Sequence, residues 1–349
     1  MRATLWQDHA FVVSIPDMAL RDSVRLGFEI GRELWLYRRP FLLYFKPTPR
    51  CDCRCLTCNR WQEHDTEPEL STGEIRRLLA KFRRAGCAVL TLWGGEPTLR
   101  RDLGDILRAA KELGFRTSIC TNGRGLVRKA ELFVPDLDVL LCSLDGLGSV
   151  HDEIRGVPGL FDRMLAGIEQ AQRVHPGCDI KIWTSVHQRN VAQLQQMASL
   201  AKELGVGIEF FPLSPISGFN DELLLSDAER TAAFAEVRRL RRDNWPVRNP
   251  DRALSIMEQG GPMACNFGRI SIHVDHRGQV NSCENAEGRP FFCWGSWEEL
   301  DLDQLFKSQE FLDVAVQLRN CNQCRLPCAA ELAGHLPLAL AGMFARTLD

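Results

Sequence analysis

Net charge is almost absent from this chain. Across 349 residues, 43 Lys and Arg meet 45 Asp and Glu, leaving a formal charge of -2, so no basic surplus points to a nucleic-acid partner. No apolar run reaches the length that spans a bilayer. The first residues lack the basic-then-apolar pattern of an export signal, and internal repeats and low-complexity tracts are missing too. What is present is a 45% hydrophobic content, enough for a large core and more than one domain. One residue type is abundant: there are 14 cysteines. Without an export signal, that number points to metal binding in a reducing compartment and away from disulfides. The expectation is a cytoplasmic metalloprotein.

Four of those cysteines crowd into Cys51-Asp-Cys-Arg-Cys-Leu-Thr-Cys58, directly after the apolar run Phe41–Phe45. Cys51, Cys55 and Cys58 have the spacing C-x3-C-x2-C. A loop with that spacing can wrap three thiolates around one corner of a cubane iron–sulfur cluster. Such clusters are normally held by four thiolates, so three leave one iron open, much as an open position separates catalytic from structural zinc. A zinc knuckle or a disulfide pair is the plainer reading of the loop alone. Cys53 has no assigned role.

Apolar runs at 41–47, 87–93, 115–120, 137–144, 179–186 and 207–212 alternate with amphipathic stretches near 72–85, 101–113, 125–133, 160–174 and 190–204. Strands alternating with helices imply parallel βαβ units. In such architectures the chemistry sits at the carboxyl ends of the strands. The cysteine loop, Gly94-Gly95-Glu96-Pro97, Thr121-Asn122-Gly123 and Ser143-Leu-Asp-Gly146 each follow a predicted strand closely, which puts them on one rim. Ser71-Thr-Gly-Glu74 reads as a helix start, and Gly86, Gly114 and Gly205 as helix ends. Beyond Pro215 the alternation stops. A charged helix over 226–243 is followed by a connector, Asn244 to Met263. Ahead of the first strand, 17–38 reads as an amphipathic segment that packs on its own domain, with a membrane or partner surface as the alternative.

The cysteine loop, the Gly-Gly-Glu-Pro turn one βα unit later, Ser143–Gly146 and His151-Asp-Glu-Ile-Arg-Gly156 together resemble the radical S-adenosylmethionine (SAM) superfamily over about residues 41 to 215. One departure is Thr57, where the family often has an aromatic residue. The resemblance implies an α/β fold: a partial (β/α)6 barrel with a small C-terminal α+β iron–sulfur domain. It divides the chain into an N-terminal extension (1–40), the barrel (41–250) and the small domain (251–349). Cys51, Cys55 and Cys58 then hold a [4Fe–4S] cluster. Gly94, Gly95, Glu96 and Pro97 receive the SAM amino group, through Glu96 or neighbouring carbonyls. Ser143 and Arg155 clamp the SAM carboxylate, the plainer role for Arg155 being a pair with Asp152. Asn122 and its neighbours touch ribose or line the substrate pocket. Asp145 shapes the turn before Gly146.

A second cysteine set lies further on. Cys265 and Cys283 flank a hairpin-like run with its turn at Asp275 to Gly278, and Cys321-Asn-Gln-Cys324 follows. Two distant cysteines plus C-x2-C make a four-thiolate set for zinc or a fully ligated cluster. The set resembles the twitch or SPASM accessory domain of the same superfamily. Its six cysteines, counting Cys293 and Cys328, suit one auxiliary [4Fe–4S] cluster held by Cys265, Cys283, Cys321 and Cys324, with Cys328 as the alternate ligand. Cys87, Cys120, Cys142 and Cys178 read as small core residues, and 329–348 as an apolar last helix.

The implied activity is that of a radical SAM oxidoreductase. It cleaves SAM reductively to a 5'-deoxyadenosyl radical, which takes hydrogen from a substrate carbon. An auxiliary cluster suits net oxidation, dehydrogenation or bond formation, of a small metabolite. Redox-neutral epimerisation or dehydration, a ribosomal peptide substrate and a lipid substrate stay open. So does a non-catalytic zinc scaffold. Reduced flavodoxin or ferredoxin is the expected electron donor, and the catalytic acid, base or hydrogen donor is not assigned.

Overall fold

The computed structural model describes residues 20–33, 39–62, 67–259, 265–284 and 291–321. Six strands fall on the six apolar runs: β1 (Leu42–Phe45), β2 (Val89–Leu92), β3 (Arg116–Thr121), β4 (Val139–Ser143), β5 (Asp179–Val186) and β6 (Gly207–Pro212). Neighbouring pairs among them are all parallel. Three more strands, β7 (Ser271–Val274), β8 (Gln279–Asn281) and β9 (Cys293–Ser296), complete one sheet in the order β6-β5-β4-β3-β2-β1-β7-β8-β9. This is an open parallel barrel wall whose β1 edge is extended by C-terminal residues. The β7 strand pairs parallel to β1, then turns back into β8 through Asp275–Gly278, where Gly278 has φ +84°. Asp275 Oδ1 accepts from Arg277 N and Gln279 N across that turn.

The helices are α1 (Leu20–Gly31), α2 (Thr72–Arg84), α3 (Leu103–Glu112), α4 (Leu126–Phe133), α5 (Ser149–Arg155), α6 (Leu160–Val174), α7 (Leu194–Glu203), α8 (Asp227–Arg242), α9 (Asp251–Gln259), α10 (Phe267–Ile270), α11 (Leu302–Leu305) and α12 (Gln309–Arg319). The α2 helix starts at the expected capping box: Ser71 Oγ accepts from Glu74 N, and Glu74 Oε2 accepts from Ser71 N. It buries Ile75, Leu78, Leu79 and Phe82 completely. Each is worth roughly 1.5–3 kcal/mol, whereas an exposed pair such as Arg76–Glu112 contributes at most about 1 kcal/mol. The apolar stripe holds this helix. Gly86, Gly114 and Gly205 end α2, α3 and α7 with positive φ.

Side chains on β3 to β6 alternate by face. Ile119, Leu140, Cys142, Ile180, Ile182, Ile208 and Phe210 are buried in the core under the helices. The opposite face carries Cys120, Ser143, Lys181, Trp183, Glu209 and Phe211 toward the barrel interior. At the β1–β7 seam Tyr44 stacks on His273, with ring centroids 5.0 Å apart and planes 10° off parallel. Trp93 and Phe267 close around the same pair.

Several helices were not expected from the sequence: the short α5, α9 within the stretch 244–263, and α10, α11 and α12 beyond it. Pro250 ends the extended segment before α9, at a place where the first-turn N–H groups have no intrahelical partner anyway. Ala253, Leu254 and Met257 form the buried side of α9, which is tied to α8 by Arg238 pairing with Asp251 and Glu258. The residues just before it cover the free edge of β6: Ile208 N donates to Pro246 O, Arg248 N to Ile208 O, and the Asn249 amide bonds Phe210 both ways. An uncovered edge is a template for unwanted pairing, and this stretch removes it. At the other end, α1 follows the packing reading: Leu26 and Ile30 enter the core, and Glu29 pairs with Arg25 and Arg83. Among the described residues no helix is long and apolar enough to cross a membrane. The apolar stretch 329–348 lies outside the described residues.

Candidate active site

The cysteine loop leaves β1 through Lys46–Arg50, and the Gly94–Pro97 turn lies directly on that segment. Gly95 N donates to Thr48 O, and Glu96 N to Arg50 O at 2.8 Å. A Cβ on Gly95 would stand 2.1 Å from Arg50 O; one on Gly94, whose φ is +114°, would stand 2.3 Å from Lys46 Cγ. The close approach these glycines permit is to the protein's own backbone, which presses the turn against the start of the loop. The far side of the loop is held by α5: Arg54 N donates to Arg155 O and Leu56 N to Ile154 O. Gly156, at φ +67°, passes so near that a Cβ would sit 2.6 Å from Arg54 O. Cys51, Cys53, Cys55 and Cys58 gather there against Val157 and Leu160.

Glu96 is buried, and four donors fill its carboxylate. Thr98 N (3.0 Å), Thr98 Oγ1 (2.6 Å) and Thr121 Oγ1 (2.8 Å) reach Oε1, while Asn122 N (2.7 Å) reaches Oε2. Burial pushes this carboxyl upward and those hydrogen bonds oppose the rise. Glu96 thus ties the turn after β2 to the turn after β3; the carbonyls of Glu96 and Pro97 accept from Leu99 N and Arg100 N, which leaves those of Gly94 and Gly95 for a ligand. Pro97 opens a short 3-10 turn capped by Glu96. Asn122 spends its own amide on the loop, its Nδ2 donating to Asp52 Oδ1 at 2.9 Å and its Oδ1 accepting from Arg124 N.

Ser143, at the carboxyl end of β4, lies 3.5 Å from Cys120 Sγ. Cys120 therefore faces the barrel interior, whereas Cys87, Cys142 and Cys178 are buried as core residues. Arg155 does not pair with Asp152, which instead accepts from Gly159 N and Phe161 N. Its partner is Asp145, 2.7 Å away, and its Nη1 comes within 3.9 Å of Cys55 Sγ. Asp145 is no mere turn former: its Oδ1 also accepts from Ser185 N, and its N–H donates to His151 Nδ1. Arg155 Nε is buried with no hydrogen-bond partner.

The thiols differ in acidity. A hydrogen bond from Cys53 and the Arg155 charge bring Cys55 down to about 7 against the cost of burial. Burial drives Cys51 up to about 12 and also raises Cys58. Cys53 and Cys55 share a thiol hydrogen bond, a contact invisible in the spacing. Reasoning from sequence also missed Lys181, Trp183 and Glu209 inside the barrel. Lys181 Nζ is 3.0 Å from Glu209 Oε1, and Trp183 Nε1 donates to Glu209 Oε2 at 2.7 Å. Asp179 and Lys181 alternating with isoleucines in β5, and Glu209 between apolar residues in β6, were the available signal.

Of the second cysteine set, Cys265 and Cys321 are both tied to the end of α12, Cys265 N donating to Arg319 O and Cys321 N to Leu318 O. Cys283 follows β8. The next residue, Glu284, pairs with Arg60 at 3.1 Å, two positions past Cys58. Cys293 is exposed. Cys324 and Cys328 lie outside the described residues.

Residues 45–184 match the family described as the Radical SAM superfamily. Those residues form a radical SAM domain. An AdoMet-dependent heme synthase of Methanosarcina barkeri is 34% identical over 199 residues, 55% of this chain and 56% of that enzyme, so the match spans little more than half the relative's length. A PqqA peptide cyclase of Rhizobium meliloti is 26% identical over 297 residues, 82% of this chain and 79% of that one. The crystal structure of Streptococcus suis SuiB bound to S-adenosylmethionine superposes with a TM-score of 0.64 at 18% identity, covering 82% of this chain and 72% of that one. At that identity the likeness is one of fold, the open radical SAM barrel.

A radical SAM domain implies a [4Fe–4S] cluster and SAM, and the residues present fit both. Three soft thiol donors share one loop, one of them already acidic, and a buried guanidinium nitrogen without a partner points to an anionic group not supplied by the protein. Among the described residues no three Cys, His, Asp or Glu side chains converge as ligands of a single ion. The corner of a cubane does not require that, since each thiolate binds a different iron.

Proposed function

We propose that this radical SAM enzyme cleaves SAM reductively and abstracts hydrogen from a carbon of a small metabolite, with net oxidation. The observation that carries the reading is the packing of the cysteine loop against both the Gly94–Pro97 turn and Arg155 on one barrel rim. Cys51, Cys55 and Cys58 hold the cluster. The carbonyls of Gly94 and Gly95 accept from the SAM amino group, because the Glu96 carboxylate is saturated by protein donors. Ser143 and the free edge of Arg155 hold the SAM carboxylate, and Asp145 keeps the guanidinium in place and charged. When bound, cluster and SAM supply one-electron cleavage to methionine and a 5'-deoxyadenosyl radical, chemistry that belongs to the cofactors. Trp93, Trp183 and Phe211, half-buried on the inner face, wall the space where a substrate meets it.

Net oxidation is supported by the second thiol set. Cys265, Cys283, Cys321 and Cys324 form a full complement for one auxiliary cluster, able to accept an electron from a substrate radical. A small substrate agrees with the relative named for heme synthesis. A peptide substrate is the second reading, favoured by the long match to a protein named as a peptide cyclase. Anaerobic reconstitution tests the whole: the protein should bind about four irons per cluster, show a paramagnetic signal altered by SAM, and release 5'-deoxyadenosine with dithionite. Cys55→Ala should abolish that release. Product formation retained in the variant refutes the assignment.

A further inference from the structure

One-electron cleavage needs a reductant that reaches the cysteine loop from outside, and the surface beside that loop has a distinct character. Between α4 and α6 lies a recess of about 600 Å³, walled by Arg124, Val127 and Arg128 on one side and Asp162, Arg163 and Ala166 on the other. Arg124 joins it to the cysteine loop, with Nη1 donating to Asp52 O and Nε 3.6 Å from Asp52 Oδ2. Asp52 stands between Cys51 and Cys53. Arg128 and Arg163, at the outer end, are exposed and pair with no carboxylate among the described residues. Arg54 and Leu56 on the loop and Val127 on α4 are exposed as well. Across this face the guanidinium groups of Arg124, Arg128 and Arg163 outnumber the carboxylates of Asp52 and Asp162, in a chain whose overall charge is -2. A cationic patch with a few apolar residues steers and seats an acidic protein.

We infer that the α4–α6 recess is the docking face for an acidic one-electron donor protein, a reduced flavodoxin or ferredoxin. Arg128 and Arg163 pair with its carboxylates, and the electron enters at the Asp52 side of the cysteine loop. The donor loses one electron and the cluster gains one, and no proton need move. The inference rests on the proposed reaction, but the two can fail separately.

The test uses the reconstituted full chain and the double variant R128E/R163E, neither residue touching cluster, SAM or substrate. Binding of an acidic flavodoxin, titrated at low and high salt, should weaken about tenfold or more at low salt. Flavodoxin-driven 5'-deoxyadenosine formation should fall in parallel, while dithionite-driven formation and iron content stay at wild-type levels. Raising the salt should slow the flavodoxin-driven wild type and leave the variant little changed. The neutral pair R128Q/R163Q should fall between. Unchanged flavodoxin binding and rate place the donor elsewhere and overturn the inference, as does an equal loss with dithionite. If the wild type forms no product even with dithionite, the proposed reaction is wrong, and the binding titration still decides the docking face.

Discussion

Arg155 shows how one side chain can serve structure and ligand together. A guanidinium has five N–H donors in a fixed fork, and Asp145 takes one end of it. The rest faces Cys55 and the space where a carboxylate would bind. Removing it should weaken SAM binding by about 10- to 100-fold, from the loss of about 1.5–3 kcal/mol for a charge-assisted contact. Because Arg155→Ala also strands the buried Asp145, Arg155→Lys is the cleaner probe. It keeps the charge, loses the fork, and should still weaken SAM binding in a filter or calorimetric titration; wild-type affinity returns Arg155 to a structural role. Glu96 makes the converse point. Glu96→Gln leaves one acceptor oxygen for donors that now use two, so either Asn122 N–H or the threonine pair is stranded. A stability loss of about 1–3 kcal/mol is expected in denaturant unfolding of the apo chain, and an unchanged midpoint contradicts the saturated carboxylate.

At the scale of elements, the site is built by turns lying on one another. The turn after β2 rests on the exit from β1, α5 rests on the cysteine loop, and Asn122 reaches back from the end of β3. Gly95→Ala drives a methyl into Arg50 O, a contact of 2.1 Å that backbone cannot relieve cheaply. The expected cost is about 1–3 kcal/mol or more, together with poor iron incorporation, because the displaced segment leads directly into Cys51. Normal iron content and melting temperature in that variant count against the packing described. Ser71→Ala, by contrast, removes an exposed cap of α2 and should cost only about 1 kcal/mol, with iron binding intact. The alternation of strands and helices was legible in the residues because burial on both sides of a parallel sheet makes each strand an apolar run. The helix α9 was not. Its nine residues follow a proline in a stretch that reads as irregular, and it is held by contacts with α8 that only the fold supplies.

For the molecule as a whole, buried histidines link stability to pH. Burial holds His273 near 3, and burial with the nearby Arg155 charge holds His151 near 4, both from an ordinary 6.5. His187 is lowered for the same first cause. These rings are neutral when folded, whereas the unfolded chain takes up their protons below pH 6.5. Stability therefore falls as pH drops from 6.5 toward 4, by about 1.36 kcal/mol per pH unit for each ring. His273→Phe should flatten the slope by about one proton, read from urea unfolding across that range. An unaltered slope means the ring is not buried neutral. The second thiol set gives a further test: Cys283→Ala should reduce iron from about eight to about four per chain while SAM cleavage chemistry persists. Unchanged iron content contradicts the auxiliary cluster.

The sequence by itself determined the cysteine spacing, the βαβ alternation and the placing of four motifs at strand ends, because each depends on residues within a few positions of one another. Only the tertiary structure decided that Arg155 pairs with Asp145 and not Asp152, that Cys53 lies in hydrogen-bond contact with Cys55, that Glu96 is saturated, and that a C-terminal hairpin joins the barrel at β1. Those pairings link groups from different strands and loops, and in a buried site the partner is chosen by whichever donor or charge the fold brings within about 3 Å.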